Sequence, residues 1–173
     1  MSVYRVAILG CRSRGTAAAR AYHAHPGCEI VGLCDLVPEL LETLGDELDI
    51  STRYSDLDTM MREQKPDIVA IPTGTEFHYE LSKRVLRHGA HIDVEKPMCA
   101  TLEQADEVVE ISRELGVRIA VHHQGRTGPA LNAVMGAIED GRIGRIRHRR
   151  PSGKRYYGGY GLMNSGTRAA HAT

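Results

Sequence analysis

One stretch of the sequence decides the fold of this chain: Val3-Tyr4-Arg5-Val6-Ala7-Ile8-Leu9-Gly10-Cys11-Arg12-Ser13-Arg14-Gly15. Its first part is a short apolar run that ends in glycine, which predicts a buried parallel strand. The alanine-rich segment 16–25 comes next and predicts a helix that ends at Pro26-Gly27. A strand, a glycine-containing loop and a helix in this order are the beginning of a βαβ unit.

The same alternation of strand and helix continues as far as residue 122. It predicts strands at 29–34, 67–71, 90–94 and 117–122, and helices at 38–48, 57–64, 76–88 and 102–115. Ser55 is the predicted cap of the helix at 57–64, and Thr101 is the predicted cap of the helix at 102–115. The fold class is therefore α/β, with a doubly wound parallel sheet. Beyond it we predict a helix at 129–140 and a strand that begins at 143–149.

Composition and charge narrow the class of protein. The net charge of the 173 residues is zero, but residues 142–173 hold eight basic side chains and no acidic one. No apolar run approaches the roughly 20 residues that span a bilayer, and the N-terminus runs directly into a strand without a signal peptide. The four cysteines have no Cys-x-x-Cys spacing. We therefore expect a cytoplasmic protein with reduced thiols and no contact with a membrane.

The loop from Gly10 to Gly15 differs from the dinucleotide pattern Gly-x-Gly-x-x-Gly at one position. Gly10 can make the tight turn and Gly15 can bring the helix close to the sheet, but Arg12 replaces the middle glycine and is expected to crowd a pyrophosphate. Amide groups at a helix start attract anions, and Arg12 and Arg14 add positive charge near Ser13. The alternative is a retained fold with a damaged site.

Asp35 ends the second predicted strand, 20 residues after Gly15. A carboxylate at this place accepts hydrogen bonds from an adenosine ribose and repels a 2′-phosphate, so NAD is favoured over NADP. The alternative is an acid that only closes the turn before Pro38.

Glu95-Lys96-Pro97 follows the apolar strand 90–94 and precedes the helix start at Thr101. A lysine at the carboxyl end of a parallel strand places an amine at the mouth of the sheet, where open α/β sheets bind their ligands. The strand 67–71 ends in the same way, with Thr73 and His78 after it.

These motifs, in this order, resemble the Gfo/Idh/MocA family, the group of glucose–fructose oxidoreductase and inositol dehydrogenase. The resemblance covers residues 3–166. It rests on the loop from Gly10 to Gly15, Asp35, a Thr-x-x-x-x-His turn at Thr73 and His78 with Gly74 in place of proline, Gly89-Ala90-His91, Glu95-Lys96-Pro97 and Gly141-Arg142-Ile143-Gly144.

The resemblance implies an NAD-binding Rossmann domain, at residues 1–124, and the beginning of a truncated second α/β domain that would bind substrate, at 125–173. It implies an NAD(P)-dependent oxidoreductase that transfers hydride to or from a sugar, a polyol or a related carbinol. Lys96 would be the catalytic residue, near the substrate hydroxyl and the nicotinamide. Glu95, Lys96, Thr73 and His78 would join the phosphate loop and Asp35 in binding the cofactor.

The C-terminal residues conflict with this family pattern. Asn164 and Arg168 stand where the family carries Asp-x-x-x-His, and His171 is seven residues from Asn164. We therefore expect impaired turnover in this chain and keep a catalytically silent NAD-binding or interaction module as the alternative. The basic run 142–155 resembles a nucleic-acid patch but has no recognised module, so we do not expect nucleic acid. We expect no metal at His122-His123, and we leave a homo-oligomer open.

Overall fold

A computed structural model describes residues 3–123 and 128–145 of the chain. The strands are β1 (Tyr4–Leu9), β2 (Cys28–Cys34), β3 (Arg53–Tyr54), β4 (Ile68–Ile71), β5 (His91–Glu95) and β6 (Ile119–His122). The helices are α1 (Ser13–His23), α2 (Pro38–Glu47), α3 (Leu57–Gln64), α4 (Thr75–Arg87), α5 (Leu102–Glu114) and α6 (Pro129–Glu139). None of these helices is long and apolar enough to cross a bilayer.

The strands form one parallel sheet in the order β3-β2-β1-β4-β5-β6. This is the strand order of the Rossmann fold, and it reverses direction between β1 and β4. The predicted doubly wound parallel sheet is confirmed. Loops that leave β1 and β4 diverge to opposite sides at this point, which opens a crevice at their carboxyl ends.

Two apolar layers bury the two faces of the sheet. Val6 and Ile8 of β1 pack with α1 and α2, whereas Ala7 and Leu9 of the same strand pack with α3, α4 and α5. A strand that is covered on both faces needs apolar side chains at successive positions, because neighbouring residues point into opposite layers. The β1 run Val6–Leu9 meets that requirement, since all four of its side chains are buried.

One strand was missed and two local predictions were wrong. Arg53 and Tyr54 form β3, a strand of two residues beside β2 that is too short to show an alternating pattern. The cap of α3 is Asp56 and not Ser55, because the Asp56 carboxylate accepts the Thr59 amide at 2.8 Å. Helix α1 begins at Ser13, three residues earlier than predicted, so the loop and the helix overlap.

The chain divides into two compact units, Met1–Thr127 and Gly128–Thr173. In the second unit, α6 begins with proline in its first turn and is followed by Gly141 with φ 70°. Residues 143–145 form no strand, and the rest of the strand predicted at 143–149 lies outside the described residues, as do Asn164, Arg168 and His171. The predicted boundary at residue 124 and the identity of the second unit stay predictions.

Candidate functional site

The loop between β1 and α1 depends on its two glycines. Gly10 has φ 106°, a conformation that side chains rarely adopt, and its amide donates to the Cys34 carbonyl at 2.8 Å. A Cβ atom on Gly15 would lie 1.8 Å from the Gly10 carbonyl oxygen. The backbone can therefore make this turn, and α1 can start this close to the sheet, only if both residues lack a side chain.

The start of α1 has no capping side chain and no acidic residue in its first turn. The amides of Ser13, Arg14 and Gly15 have no hydrogen-bond acceptor within the described parts of the chain. Free amides and the positive end of a helix dipole together attract an anion such as a phosphate. This helix start is therefore suited to the pyrophosphate of a dinucleotide.

Arg12 lies directly before α1 with φ −74° and ψ −179°, which any residue can adopt. The glycine that the pattern expects here is thus not required by the backbone conformation, and it would matter only for the space that a ligand needs. The Arg12 side chain is exposed. That Arg12 crowds a pyrophosphate stays a prediction.

Asp35 closes the loop from the other side. Its Oδ2 atom accepts the Cys11 amide at 2.7 Å and its Oδ1 atom accepts the Val37 amide at 2.9 Å. The carboxylate therefore closes the turn after β2 and also ties that turn to the phosphate loop. Each oxygen keeps a further lone pair, so a ribose hydroxyl could still donate to it.

Two buried thiols lie beneath Asp35. Burial, and next the charge of Asp35, raise the pKa of Cys11 to about 12. The same two causes, in the same order, raise the pKa of Cys34 to about 12. Both side chains are free thiols and stay protonated at neutral pH, so they act as small apolar groups under the loop.

Thr73 follows β4 and lies against the phosphate loop. Its methyl carbon is 3.0 Å from the place that a Cβ atom on Gly10 would take. Its hydroxyl oxygen is buried and has no hydrogen-bond partner within the described residues. A buried hydroxyl without a partner calls for a ligand or a water molecule, and it lies beside the loop that would hold the pyrophosphate.

Glu95 and Lys96 end β5 at the same edge of the sheet. The Glu95 side chain is buried, and its Oε2 atom accepts the Lys96 amide at 3.0 Å. Its Oε1 atom is 3.8 Å from Nε of Arg14, so Glu95 also faces the phosphate loop. The Lys96 residue is exposed. A fixed carboxylate and an exposed amine thus follow one another at the mouth of the crevice.

A cavity of about 140 Å³ continues from this point along α1. It is lined by, among others, Arg14, Ala17, Ala21, Asp93, Glu95 and His122. The sequence reasoning missed Asp93 and His122 as site residues. The sequence signal for Asp93 was the alternation in β5. His91, Asp93 and Glu95 occupy one face of this strand, and Ile92 and Val94 occupy the other. Tyr22 of α1 donates to Asp93 at 2.9 Å across this face.

His78 lies under the crevice, in α4, and is 1% exposed. Its Nδ1 atom is 2.7 Å from the Pro97 carbonyl oxygen, and its Nε2 atom is 3.1 Å from the Thr73 carbonyl oxygen. His78 thus joins the loop after β4 to the segment after Lys96. A direct contact between His78 and a cofactor stays a prediction.

The predicted site residues therefore lie at one edge of the sheet. Free amides, a closely packed glycine pair, a buried hydroxyl and a carboxylate on the neighbouring strand together fit a dinucleotide. Ser13, Arg14 and Gly15 would hold its pyrophosphate, and Asp35 its adenosine ribose.

Comparison with known proteins agrees with this geometry. Residues 4–123 match the sequence model of a protein family, which is described as an oxidoreductase family with an NAD-binding Rossmann fold. D-apiose dehydrogenase from Paraburkholderia graminis is 32% identical over 141 residues, which cover 82% of this chain and 38% of that enzyme.

Two solved structures show the same fold. The WlbA dehydrogenase from Bordetella pertussis, in complex with NADH and UDP-GlcNAcA, has a TM-score of 0.75 and 30% identity, over 83% of this chain and 44% of that one. An oxidoreductase from Agrobacterium radiobacter, in complex with NAD+, L-tartaric acid and magnesium, has a TM-score of 0.80 and 26% identity, over 83% and 42%. The chain thus spans less than half the length of these relatives.

Proposed function

The chain belongs to the Gfo/Idh/MocA oxidoreductase family, and on this premise we propose that its first unit binds NAD for hydride transfer to or from a sugar, a polyol or a related carbinol. The uncapped start of α1 is the observation that carries the proposal: the amides of Ser13, Arg14 and Gly15 have no acceptor among residues 3–123 and 128–145. Asp35 and Lys96 support it because they lie on either side of that helix start, at the carboxyl ends of β2 and β5.

Each residue has a distinct task in this proposal. Asp35 accepts hydrogen bonds from the adenosine ribose, and the amides of Ser13 to Gly15 neutralise the pyrophosphate. When bound, NAD supplies the carbon that accepts the hydride. Lys96 stabilises the charge that develops on the substrate oxygen and assists the transfer of its proton. Glu95 holds the Lys96 amide at 3.0 Å and so limits where that residue can lie.

The cofactor preference is tested by isothermal titration of this chain with NAD and with NADP. We expect NAD to bind more tightly, because the Asp35 carboxylate repels a 2′-phosphate. Equal or reversed affinities would contradict the assignment of Asp35. Asp35→Asn removes the charge but keeps only one of the two acceptors for the Cys11 and Val37 amides, so we expect the preference for NAD to shrink and a loss of stability of about 1 kcal/mol from the lost hydrogen bond.

The catalytic part of the proposal needs a separate experiment. NADH formation is measured with a broad panel of sugars and polyols, and Lys96→Met should abolish it without changing NAD affinity by more than a few-fold. Binding of NAD without hydride transfer to any member of the panel would favour the silent NAD-binding module. If NAD does not raise the melting temperature of the chain, both the oxidoreductase and the silent NAD-binding module are contradicted, and a ligand other than NAD is favoured.

We also propose a cytoplasmic location. The proposal is supported by the cysteines, all four of which are free thiols: Cys11, Cys28, Cys34 and Cys99. Free thiols are typical of proteins in the reducing cytoplasm. Labelling of the four thiols in freshly lysed cells tests this, and a disulfide between any two of them would contradict it.

A further inference from the structure

Arg14 lies where two parts of the proposed cofactor site meet. Its backbone amide belongs to the first turn of α1, where three amides have no acceptor among residues 3–123 and 128–145. Its side chain turns toward β5, and its Nε atom is 3.8 Å from Oε1 of Glu95. One residue thus faces the pyrophosphate position with its backbone and the end of β5 with its side chain.

Glu95 extends this contact to Lys96. One oxygen of its carboxylate, Oε1, faces Arg14, and the other, Oε2, accepts the Lys96 amide at 3.0 Å. The side chain of Glu95 is only 11% exposed, so its neighbours limit how it can turn. Because a carboxylate is rigid and planar, a turn that changes the contact of one oxygen also changes the contact of the other. The guanidinium of Arg14 is therefore linked to the backbone of Lys96.

The ion pair between Arg14 and Glu95 is loose. The Arg14 side chain is 60% exposed, and 3.8 Å exceeds the length of a hydrogen bond, so the pair adds little to the stability of the fold. A guanidinium has five N–H donors in a planar fork. The group that faces Glu95 with Nε keeps donors for a second anion, and arginine often binds phosphate with two of them. This geometry suits a bridge between two anions better than a pair that stabilises the fold.

Arg12 differs from Arg14 in this respect, although both belong to the loop before α1. Both side chains are exposed. The Arg12 side chain forms no hydrogen bond and no ion pair with any residue that the structure describes, whereas Arg14 lies within ion-pair distance of Glu95. Arg12 can add positive charge to the helix start, but it has no contact that leads to Lys96.

We propose that Arg14 is a positioning residue that bridges the pyrophosphate of the cofactor and Glu95, so that cofactor binding at the start of α1 fixes Lys96 at the end of β5. The inference rests on the proposed NAD site and adds a link between its two ends. Glu95 holds the guanidinium near the helix start before the cofactor arrives, and the phosphate therefore meets a cation already in place. The bound phosphate then restricts the guanidinium, the Glu95 carboxylate and the Lys96 amide together.

The first test is a double-mutant cycle on NAD affinity, measured by titration calorimetry with Arg14→Gln, Glu95→Gln and the double variant. We expect Arg14→Gln to weaken NAD binding about tenfold in the otherwise unchanged chain and only about twofold in the Glu95→Gln chain, because the effects of residues in contact do not add. Arg14→Lys keeps the charge without the fork and should recover part of the loss. Equal losses in the two backgrounds, or a larger loss in the Glu95→Gln chain, overturn the bridge.

Arg12→Gln is the matched control, because it removes a neighbouring charge of the same loop. Its effect on NAD affinity should be the same in the otherwise unchanged chain and in the Glu95→Gln chain. If Arg12 couples to Glu95 as strongly as Arg14 does, the coupling comes from the charge of the loop as a whole, and the assignment to Arg14 is overturned.

The second test uses inorganic pyrophosphate, which needs only the helix start. The amide resonance of Lys96 is followed while pyrophosphate is added to the isotope-labelled chain. We expect this resonance to shift in the wild type and in Arg12→Gln, and to stay in place in Arg14→Gln at saturating pyrophosphate. The His91 amide, at the other end of β5, is the internal reference and should not shift. A Lys96 amide that does not respond in the wild type, or that responds fully in Arg14→Gln, overturns the inference.

Failure of the proposed function has a different signature from failure of the bridge. If pyrophosphate shifts the Lys96 amide but NAD does not bind, the proposed NAD site is wrong and the bridge stands. If NAD binds but the Lys96 amide responds to neither ligand, the NAD site stands and the bridge is wrong. If neither ligand binds, both are wrong.

Discussion

Helices α1 and α5 begin at the same edge of the sheet, but the backbone amides in their first turns are satisfied in different ways. The Thr101 hydroxyl accepts the Gln104 amide at 3.3 Å, and the Gln104 side chain accepts the Ala100 amide at 3.1 Å, so the start of α5 is closed by its own residues. The start of α1 has neither feature, and Arg12 and Arg14 stand where α5 has Thr101 and Glu103.

The contrast separates stability from binding. A capping side chain is worth about 1 kcal/mol to a helix, and α1 does without it. Amides that a cap would occupy stay available to an anion from outside. One helix start at this edge therefore stabilises the fold, and the other is the start at which we propose that the cofactor binds.

The strongest way to break the contrast is Gly15→Ala. The added Cβ atom would lie 1.8 Å from the Gly10 carbonyl oxygen, so either α1 or the loop must move. We expect the free energy of unfolding to fall by about 3 kcal/mol and NAD binding to become undetectable, measured by urea unfolding and titration calorimetry. Gly136→Ala is the control, because no atom of the part of the chain that the structure describes lies within 4 Å of a Cβ atom there. Similar losses in both variants would mean that the close approach of Gly15 to Gly10 is unimportant.

Arg12→Asp should make α1 resemble α5. A carboxylate directly before the helix can accept the amides of Arg14 or Gly15, which would raise the free energy of unfolding by about 1 kcal/mol. The same change occupies the anion site and reverses its charge, so we expect NAD affinity to fall at least about tenfold, or 1.4 kcal/mol. Opposite signs for stability and affinity are the expected result, and parallel changes would contradict the distinction between the two helix starts.

Arg12→Gly tests whether the arginine side chain costs affinity. The backbone at Arg12 is open to any residue, so the substitution changes mainly the space and charge around a pyrophosphate. We expect NAD to bind more tightly by about 1 kcal/mol, the usual scale of a single steric change. An unchanged or weaker affinity in titration calorimetry would identify Arg12 as a phosphate partner instead.

The sequence predicts the sheet better than the site. Apolar runs such as Val6–Leu9 and the glycines at their ends reveal buried parallel strands, because burial on both faces demands them. The two-residue strand β3 was missed, since its pairing with β2 comes from its place beside that strand and not from a pattern of its own. Local pattern thus yields long elements and loses short ones.

The site residues divide in the same way. Gly10, Gly15 and Asp35 were predicted from spacing, because a dinucleotide loop requires them at fixed intervals. The contact between His78 and Pro97 spans 19 residues, and the one between Tyr22 and Asp93 spans 71. Such contacts depend on how helices pack on the sheet, so no local sequence rule contains them.

Thr101→Ala is the smaller, complementary change at α5. It removes the acceptor of the Gln104 amide, so we expect the free energy of unfolding to fall by about 1 kcal/mol or less. NAD affinity should stay the same, since Thr101 is not among the site residues. Thr101→Ser, which keeps a hydroxyl, is the control in urea unfolding. A loss of affinity in Thr101→Ala would show that the two helix starts are coupled.

The smallest expected effect concerns acid, and it uses α3 as a second closed helix start. Hydrogen bonds from the Thr59 hydroxyl and amide lower the pKa of Asp56. Because the folded pKa lies below the unfolded value of about 3.9, this cap contributes stability above that value and loses it as the pH falls through the folded pKa. Helix α1 has no acid in its first turn, so its start loses nothing in the same interval. The Thr59 amide resonance, followed from pH 6 to pH 2, should report the loss. Asp56→Ser keeps an uncharged cap and should remove this part of the pH dependence, and an identical profile in the two proteins would show that the Asp56 carboxylate is not the group that titrates.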